Sequence, residues 1–308
     1  MNEPAAPAVR HPRFSRLVEQ AGHPLILACA GLAWWHAGRH DGTTLAVLVA
    51  VLSLTALLEA LIPAMPQWRV GVGARARLIA VYLLGLVVST ALIAAYQGLL
   101  VPTLADVRAQ VGMLAWPHGW PKPAQALLLY FLSDLLYYWA HRAIHRWPAL
   151  WRLTGYGFHH GFQNLHAMNA GANRPFELVV LVLPLILLAA ATGAAGEAVG
   201  LAGVLLLTNA TLVHANVRMD TPLFNLLVTS SSQHRRHHSA VFADSNTNYA
   251  CNAILWDRLF GTFSHGPVTQ TGIGPTQPPL WQMFLLPWRE PADADTVASR
   301  RQATPPST

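Results

Sequence analysis

Three groups of histidines interrupt an otherwise apolar chain: His141-x3-His145, the pair His159-His160, and His234-x2-His237-His238, with His166 and His214 between them. Nine of the 15 histidines lie between residues 141 and 238, where even scattering would place about five. Neutral imidazole is the commonest metal-ligating side chain and suits iron, zinc and copper. Residues four apart share a helix face. His141 and His145 should therefore project together, and His234, His237 and His238 should converge on one face. That many nitrogen donors exceed the needs of one ion, so two metals are implied. An all-histidine set without cysteine argues against structural zinc, and no His-Glu-x-x-His protease signature is present.

The elements that position these residues are membrane helices. Of 308 residues 53% are hydrophobic and 11% are charged, against roughly 25% charged in soluble domains. The net charge of +6 is spread in short arginine clusters beside apolar runs, a pattern of membrane topology rather than nucleic-acid binding. Cys29 and Cys251 lie in unrelated contexts, so no disulfide framework follows. Arg10, Arg13 and Arg16 precede a short apolar run near 24–38. The long polar leader and the Trp34-Trp35-His36 context read as a retained segment rather than a cleaved signal.

A helix needs about 20 apolar residues to cross the hydrocarbon. Thr43–Met65 and Leu78–Leu100 meet this. Ala124–Ala140 is shorter and runs into the first histidine pair. Leu178–Ala195 and Ala198–Val213 flank a glycine turn and form a hairpin, while 24–38 either crosses obliquely or lies in the interface. Arg10, Arg13, Arg16, Arg69, Arg75, Arg77, Arg142, Arg146 and Arg152 alternate with poorer loops carrying Arg39, Arg108 and Lys122. The positive-inside bias then puts every histidine group on the cytoplasmic side. The expected fold is all-α: a polytopic membrane bundle of about four to six spans, with a cytosolic helical cap carrying a histidine-rich dimetal site. The expected divisions are a cytosolic leader (1–23), an N-terminal membrane region (24–123), a catalytic region (124–265), an interfacial segment (266–290) and a disordered tail (291–308). In the interfacial segment Trp281, Phe284, Leu285, Leu286 and Trp288 either anchor in the headgroup zone or pack internally. Helical stretches are expected near 222–238 and 251–260.

An acid inside an apolar span is costly and as a rule functional. Asp134 precedes His141 at helical spacing. It either accepts the outer N–H of a ligand histidine, fixing its tautomer, or caps a local network. Glu59 is either a headgroup contact or a satisfied interhelical group. Asn248 and Asp257 are expected to hold the third cluster by hydrogen bonds, and Asn169, Asn173 and Glu177 the second.

Together these residues resemble the fatty acid hydroxylase/sterol desaturase superfamily of membrane di-iron enzymes. Asp134-x3-Tyr138-Trp139-x-His141-Arg142-x2-His145 is similar to its first box, Leu150-Trp151 followed by His159-His160 to its second, and His214-Ala215-Asn216 to an intervening element. The most specific stretch is His234-Arg235-x-His237-His238-Ser239, continuing to Thr247-Asn248-Tyr249 and Trp256-Asp257-Arg258-Leu259-Phe260-Gly261-Thr262. The resemblance covers roughly 124–265. It departs from the pattern at Tyr156 and Arg174, where the superfamily has histidines, and at His166, where it typically has asparagine. Tyr156 is then a phenol near the metal, a donor to a ligand, or the mark of a lost ligand. His166 is a candidate to replace the missing imidazole.

The resemblance implies two irons held by His141, His145, His159, His160, His214, His234, His237 and His238, with His166 as a ninth candidate. Asp134, Tyr138, Tyr156, Asn169, Asn173, Glu177, Asn248 and Asp257 would stand behind them. It further implies O2-dependent hydroxylation or desaturation of a lipid C–H bond. The chain lacks a Gly-rich dinucleotide fingerprint, so electrons would come from a separate reductase with ferredoxin or a cytochrome. Arg142, Arg146, Arg235 and Arg236 would either dock such a carrier or meet headgroups. The enzyme would sit in the membrane (the inner membrane, if bacterial), with its site facing the cytoplasm. The alternatives are a non-oxidative zinc enzyme, or a non-catalytic metal- or lipid-binding protein on the same scaffold.

Overall fold

The computed structural model describes residues 12–68, 70–112, 116–274 and 276–285. Arg10, Arg69, Leu286, Trp288 and the 291–308 tail lie outside the described residues. The described chain is helical, and its only extended pairings are the isolated bridges Pro63–Val217 and Ser239–Thr271. In chain order the helices are α1 (Pro12–Leu17), α2 (His23–His36), α3 (Asp41–Leu61), α4 (Val72–Thr103), α5 (Lys122–Arg146), α6 (Pro148–Thr154), α7 (Gly157–His160), α8 (Pro175–Thr192), α9 (Gly196–His214), α10 (Ser231–His237), α11 (Phe242–Ser245), α12 (Leu255–Leu259) and α13 (Leu280–Leu285).

Four of these, α3, α4, α8 and α9, are long and apolar enough to cross a membrane. The protein is an integral membrane protein. On α4 only Leu78 and Gly85 are buried, as hydrocarbon rather than protein would demand of its other faces. The expected 178–213 hairpin forms: α8 ends on Gly193, whose φ of 65° only glycine adopts cheaply, and α9 starts three residues later. The shorter run over 124–140 becomes part of α5, 25 residues long. Its polar groups, among them Gln125, Tyr130, Asp134, Tyr137 and Tyr138, are buried, so protein rather than lipid surrounds that face.

The first run, too short to span by itself, is lengthened by a π-helical turn, Val18–Gly22, that joins α1 to α2. This helix lies antiparallel to α9. His23 bonds Asn209 near the histidine end of α9 (2.6 Å), and at the far end Arg39 reaches Glu197 (3.9 Å).

α9 is the central post, packed against α5, α2 and α3, while α8 packs against α4 and α5. The main core gathers Leu27, Trp34, Val51, Leu58, Leu129, Leu201 and Leu212 around it. The helices expected near 222–238 and 251–260 are shorter, because Ser230 caps α10 only at 231 and the intervening backbone serves the site instead. The 280–285 segment packs inward: Met283 is buried against Phe158 and Phe162, and Trp281 stays exposed.

Glu59, unassigned from sequence, ties spans to site. Its Oε1 accepts from the backbone N–H of Ala167 (2.7 Å) and of Asn216 (3.0 Å). Because one oxygen serves both donors, Glu59→Gln should fold normally. Glu59→Leu should cost about 2–6 kcal/mol, the price of two buried unpaired N–H groups. Thermal unfolding of the two variants in detergent checks this.

Candidate metal centre

The histidines meet where α5, α7, α9 and α10 come together, and they form two groups. His141, His145, His160 and His237 make one; His159, His214, His234 and His238 make the other. In each, one ligand atom per residue lies within 4.8 Å of all the others. The groups abut, with the rings of His160 and His238 stacked 4.4 Å apart.

The pairing follows helix geometry. His141 and His145, four apart, share the first group, and His234 and His238, four apart, share the second. Adjacent residues on a helix point about 100° apart, so His159 and His160 serve different groups, as do His237 and His238. His234, His237 and His238, expected to converge on one face, are thus divided between the two groups.

Backbone carbonyls orient the rings. His141 Nδ1 donates to the Tyr249 carbonyl (2.5 Å), His237 Nδ1 to that of Thr247 (2.8 Å) and His214 Nδ1 to that of Ala210 (2.7 Å). A carbonyl only accepts, so each of these rings presents its Nε2 lone pair to the centre. In the second group Nε2 of His214 lies 3.2 Å from that of His159 and 3.1 Å from that of His234, which lies 3.2 Å from that of His238. In the first, Nε2 of His160 and of His237 is buried without any hydrogen-bond partner. Converging buried lone pairs are unfavourable unless a cation lies among them. Two imidazole-bound metal ions fit these residues. Burial, followed by repulsion from neighbouring imidazoles, lowers the pKa of His160, His234 and His238 far below the usual histidine range. The rings are thus already deprotonated for ligation.

His166 is not brought to either group. It sits at the start of a 3-10 turn, Ala167–Gly171, where its backbone N–H donates to Asn169 Oδ1 (2.8 Å). Arg174 is also outside: its guanidinium packs against Gly155 and lies over the Phe284 ring, while its backbone N–H donates to Glu177 (3.2 Å).

The supporting residues act mainly through backbone. Asp134 touches no histidine; its carboxylate accepts from the backbone N–H groups of Asn252 and Ala253 and from the Asn252 side chain. Asp257 accepts from the N–H groups of Tyr249 and Ala250 and from Thr262 Oγ1, and Tyr138 bonds that same hydroxyl (2.9 Å). Both acids thus shape the loop whose Tyr249 carbonyl aims His141. Asn248 ties the Gln233 carbonyl, in α10, to Ser264. Asn173 bonds the Ala170 carbonyl, and Glu177 stands 4.0 Å from His159 Nδ1.

One residue went unread in the sequence: Tyr137 bonds Tyr156 (3.1 Å), and its position four before His141 was the available signal. The idea that Arg235 and Arg236 face an outside partner is also corrected. Arg235 is buried, over Trp68 and bonded to the Ala215 carbonyl; Arg236 pairs with Asp244 (2.6 Å) and Ser264.

A cavity of about 260 Å³ opens onto the centre. Tyr156, His159, His214 and His234 form its metal end, and Leu86, Ile93, Leu181 and Leu206, from α4, α8 and α9, wall the rest.

His166→Ala should leave metal content unchanged, whereas His160→Ala or His234→Ala should each lose about one ion per chain, as elemental analysis would show. Asp257→Asn should weaken metal retention roughly 10–100-fold, the usual effect of removing an outer partner, read by chelator competition. Burial lowers the pKa of His166 and His237 from 6.5 to about 4. Protons then bind the unfolded chain preferentially. Chelator-treated protein should lose thermal stability as the pH falls from about 6.5 towards 4, and metal-loaded protein should lose less.

Residues 126–262 match the fatty acid hydroxylase family. The chain is 33% identical to the ornithine lipid hydroxylase OlsE of Rhizobium tropici over 270 residues, covering 82% of this chain and 78% of that one. It is 32% identical to the alkylglycerol monooxygenase of Danio rerio over 49% of this chain and 32% of the relative. It is 24% identical to the lathosterol oxidase of Rattus norvegicus over 52% of each. No solved structure matches. Set beside the histidine centre and the apolar spans, these likenesses make the chain a lipid-oxidising enzyme of the fatty acid hydroxylase/sterol desaturase superfamily.

Proposed function

We propose that the protein is a di-iron, O2-dependent hydroxylase of a membrane lipid, drawing electrons from a separate carrier. The observation that carries this reading is the apolar cavity between spans that ends on His159, His214 and His234. A chain lying there is held against the metal centre. The imidazole-only donor set, without thiolate, suits a borderline ion that keeps open positions. Bound irons, supplied with O2 and two electrons, provide an oxidant strong enough to break an aliphatic C–H bond.

The chain's own residues supply position and dryness. Leu86, Ile93, Leu181 and Leu206 exclude water along the cavity and restrict which carbon reaches its metal end, and small misplacements there are costly in rate. Asp257, through Tyr249, keeps His141 Nε2 turned to the centre. Ser133, Cys251 and Asn252 add a polar strip to the cavity wall. Likeness to a hydroxylase over most of the chain supports hydroxylation over desaturation, and an amino-acyl membrane lipid as the substrate class.

Arginine placement supports a cytoplasmic site. Arg142, Arg146 and Arg152 stand in or beside the helices bearing the first two histidine groups, whereas Arg39 and Arg108 lie at the far end, against Glu197 and the Ala190 carbonyl.

Expression of the full chain in a bacterium making ornithine lipids should add one oxygen atom to a lipid, seen by mass spectrometry, only in air. His237→Ala should reduce the product to background. A lipid lighter by two hydrogens would replace hydroxylation with desaturation. Product formed without oxygen, or zinc retained in place of iron after growth in iron-rich medium, would overturn the proposal.

A further inference from the structure

Tyr156 lies between α6 and α7, 2% exposed. Its ring contacts those of His141, His145 and His160, with centroids 5.0, 5.5 and 5.1 Å away. Three of the four imidazoles of the first group thus surround it. Its hydroxyl oxygen is 2.7 Å from His141 Nε2 and 3.1 Å from the hydroxyl of Tyr137.

The direction of these bonds can be worked out. His141 Nδ1 carries the ring's proton, because it donates to the Tyr249 carbonyl. His141 Nε2 is therefore an acceptor, and the Tyr156 hydroxyl donates to it. The Tyr156 oxygen is left to accept from Tyr137. This arrangement cannot persist when His141 ligates a metal, because the lone pair that receives the phenol proton is the one the ion needs. The phenol then loses its acceptor while its oxygen stays beside a ligand nitrogen. Two donors at right angles, each about 2.1 Å from one ion, lie about 3 Å apart. The observed 2.7 Å is close to that separation.

We propose that the Tyr156 phenol oxygen is a protein ligand of the ion held by His141, His145, His160 and His237, with the Tyr137 hydroxyl donating to it. The inference rests on the di-iron reading above. In the step, the iron–oxygen bond forms, the O–H bond breaks and the proton passes to solvent; no electrons move. Coordination to a cation is what removes such a proton. An anionic oxygen in a place otherwise given to neutral imidazoles favours the higher oxidation state of that ion, and the two ions become chemically distinct. Tyr137 and Tyr156 both line the cavity, so this ligand lies on the substrate side of the centre.

The test uses the full chain in detergent, loaded with ferrous iron and then oxidised, with iron content, visible absorption and resonance Raman recorded for each sample. The wild type should show a visible phenolate-to-iron(III) charge-transfer band with tyrosine ring modes. Tyr156→Phe should lose the band. Tyr156→His should also lose it but keep about two irons and a normal melting temperature, since imidazole refills the position; this variant separates ligation from folding. Tyr137→Phe should shift the band without abolishing it. Iron-loaded wild type without the band, or an unchanged band in Tyr156→His, would overturn the ligand assignment and leave the di-iron reading standing. Failure of the wild type to bind iron would overturn both.

Discussion

Eight imidazoles converge in two adjoining groups, and the rest of the structure is organised to hold them there. No apolar core would select this arrangement. Seven of the eight residues are buried, and several have an outward N–H tied to a backbone carbonyl. The cost is recovered only when cations enter. Bound metal would therefore stabilise the cap besides supplying its chemistry. The same logic explains why so many polar groups around the site bond backbone rather than histidine: the carbonyls have to be in place before the rings can be.

That scaffold has two sources. Helices α5 and α9 carry His141, His145 and His214 on rigid segments whose apolar partners fix their angle. Short loop-borne helices, α7 and α10, bring the remaining histidines, and these need more support. Asp134 and Asp257, buried acids on opposite sides of one loop, clamp residues 249–253 by their N–H groups. Glu59 does the same for the turns at 167 and 216. Three carboxylates thus act as acceptors for backbone N–H groups.

Function follows from placing this centre at the end of the spans rather than in their middle. The cavity descends from the histidines between α4, α8 and α9, so a lipid enters from the bilayer with its chain in hydrocarbon-like surroundings. Arg235 and Arg236 are turned inward to Trp68 and Asp244 and so belong to the architecture around the centre.

The sequence by itself determined the class of chemistry. Histidine spacing, apolar run lengths and the low charge content are local properties, and each survives being read one segment at a time. So did the i, i+4 pairs, which share a metal group because a helix repeats every 3.6 residues. The tertiary structure alone decided which histidine joins which group. His159 and His160, neighbours in the chain, part company because adjacent side chains diverge: His160 joins His141 and His145, and His159 meets His214, 55 positions away. It also decided that His166 and Arg174 stand aside, that Tyr156 touches His141, and that Asp134 grips a loop 118 residues downstream. Those facts depend on how far-separated helices dock, and docking is set by packing that no single segment encodes.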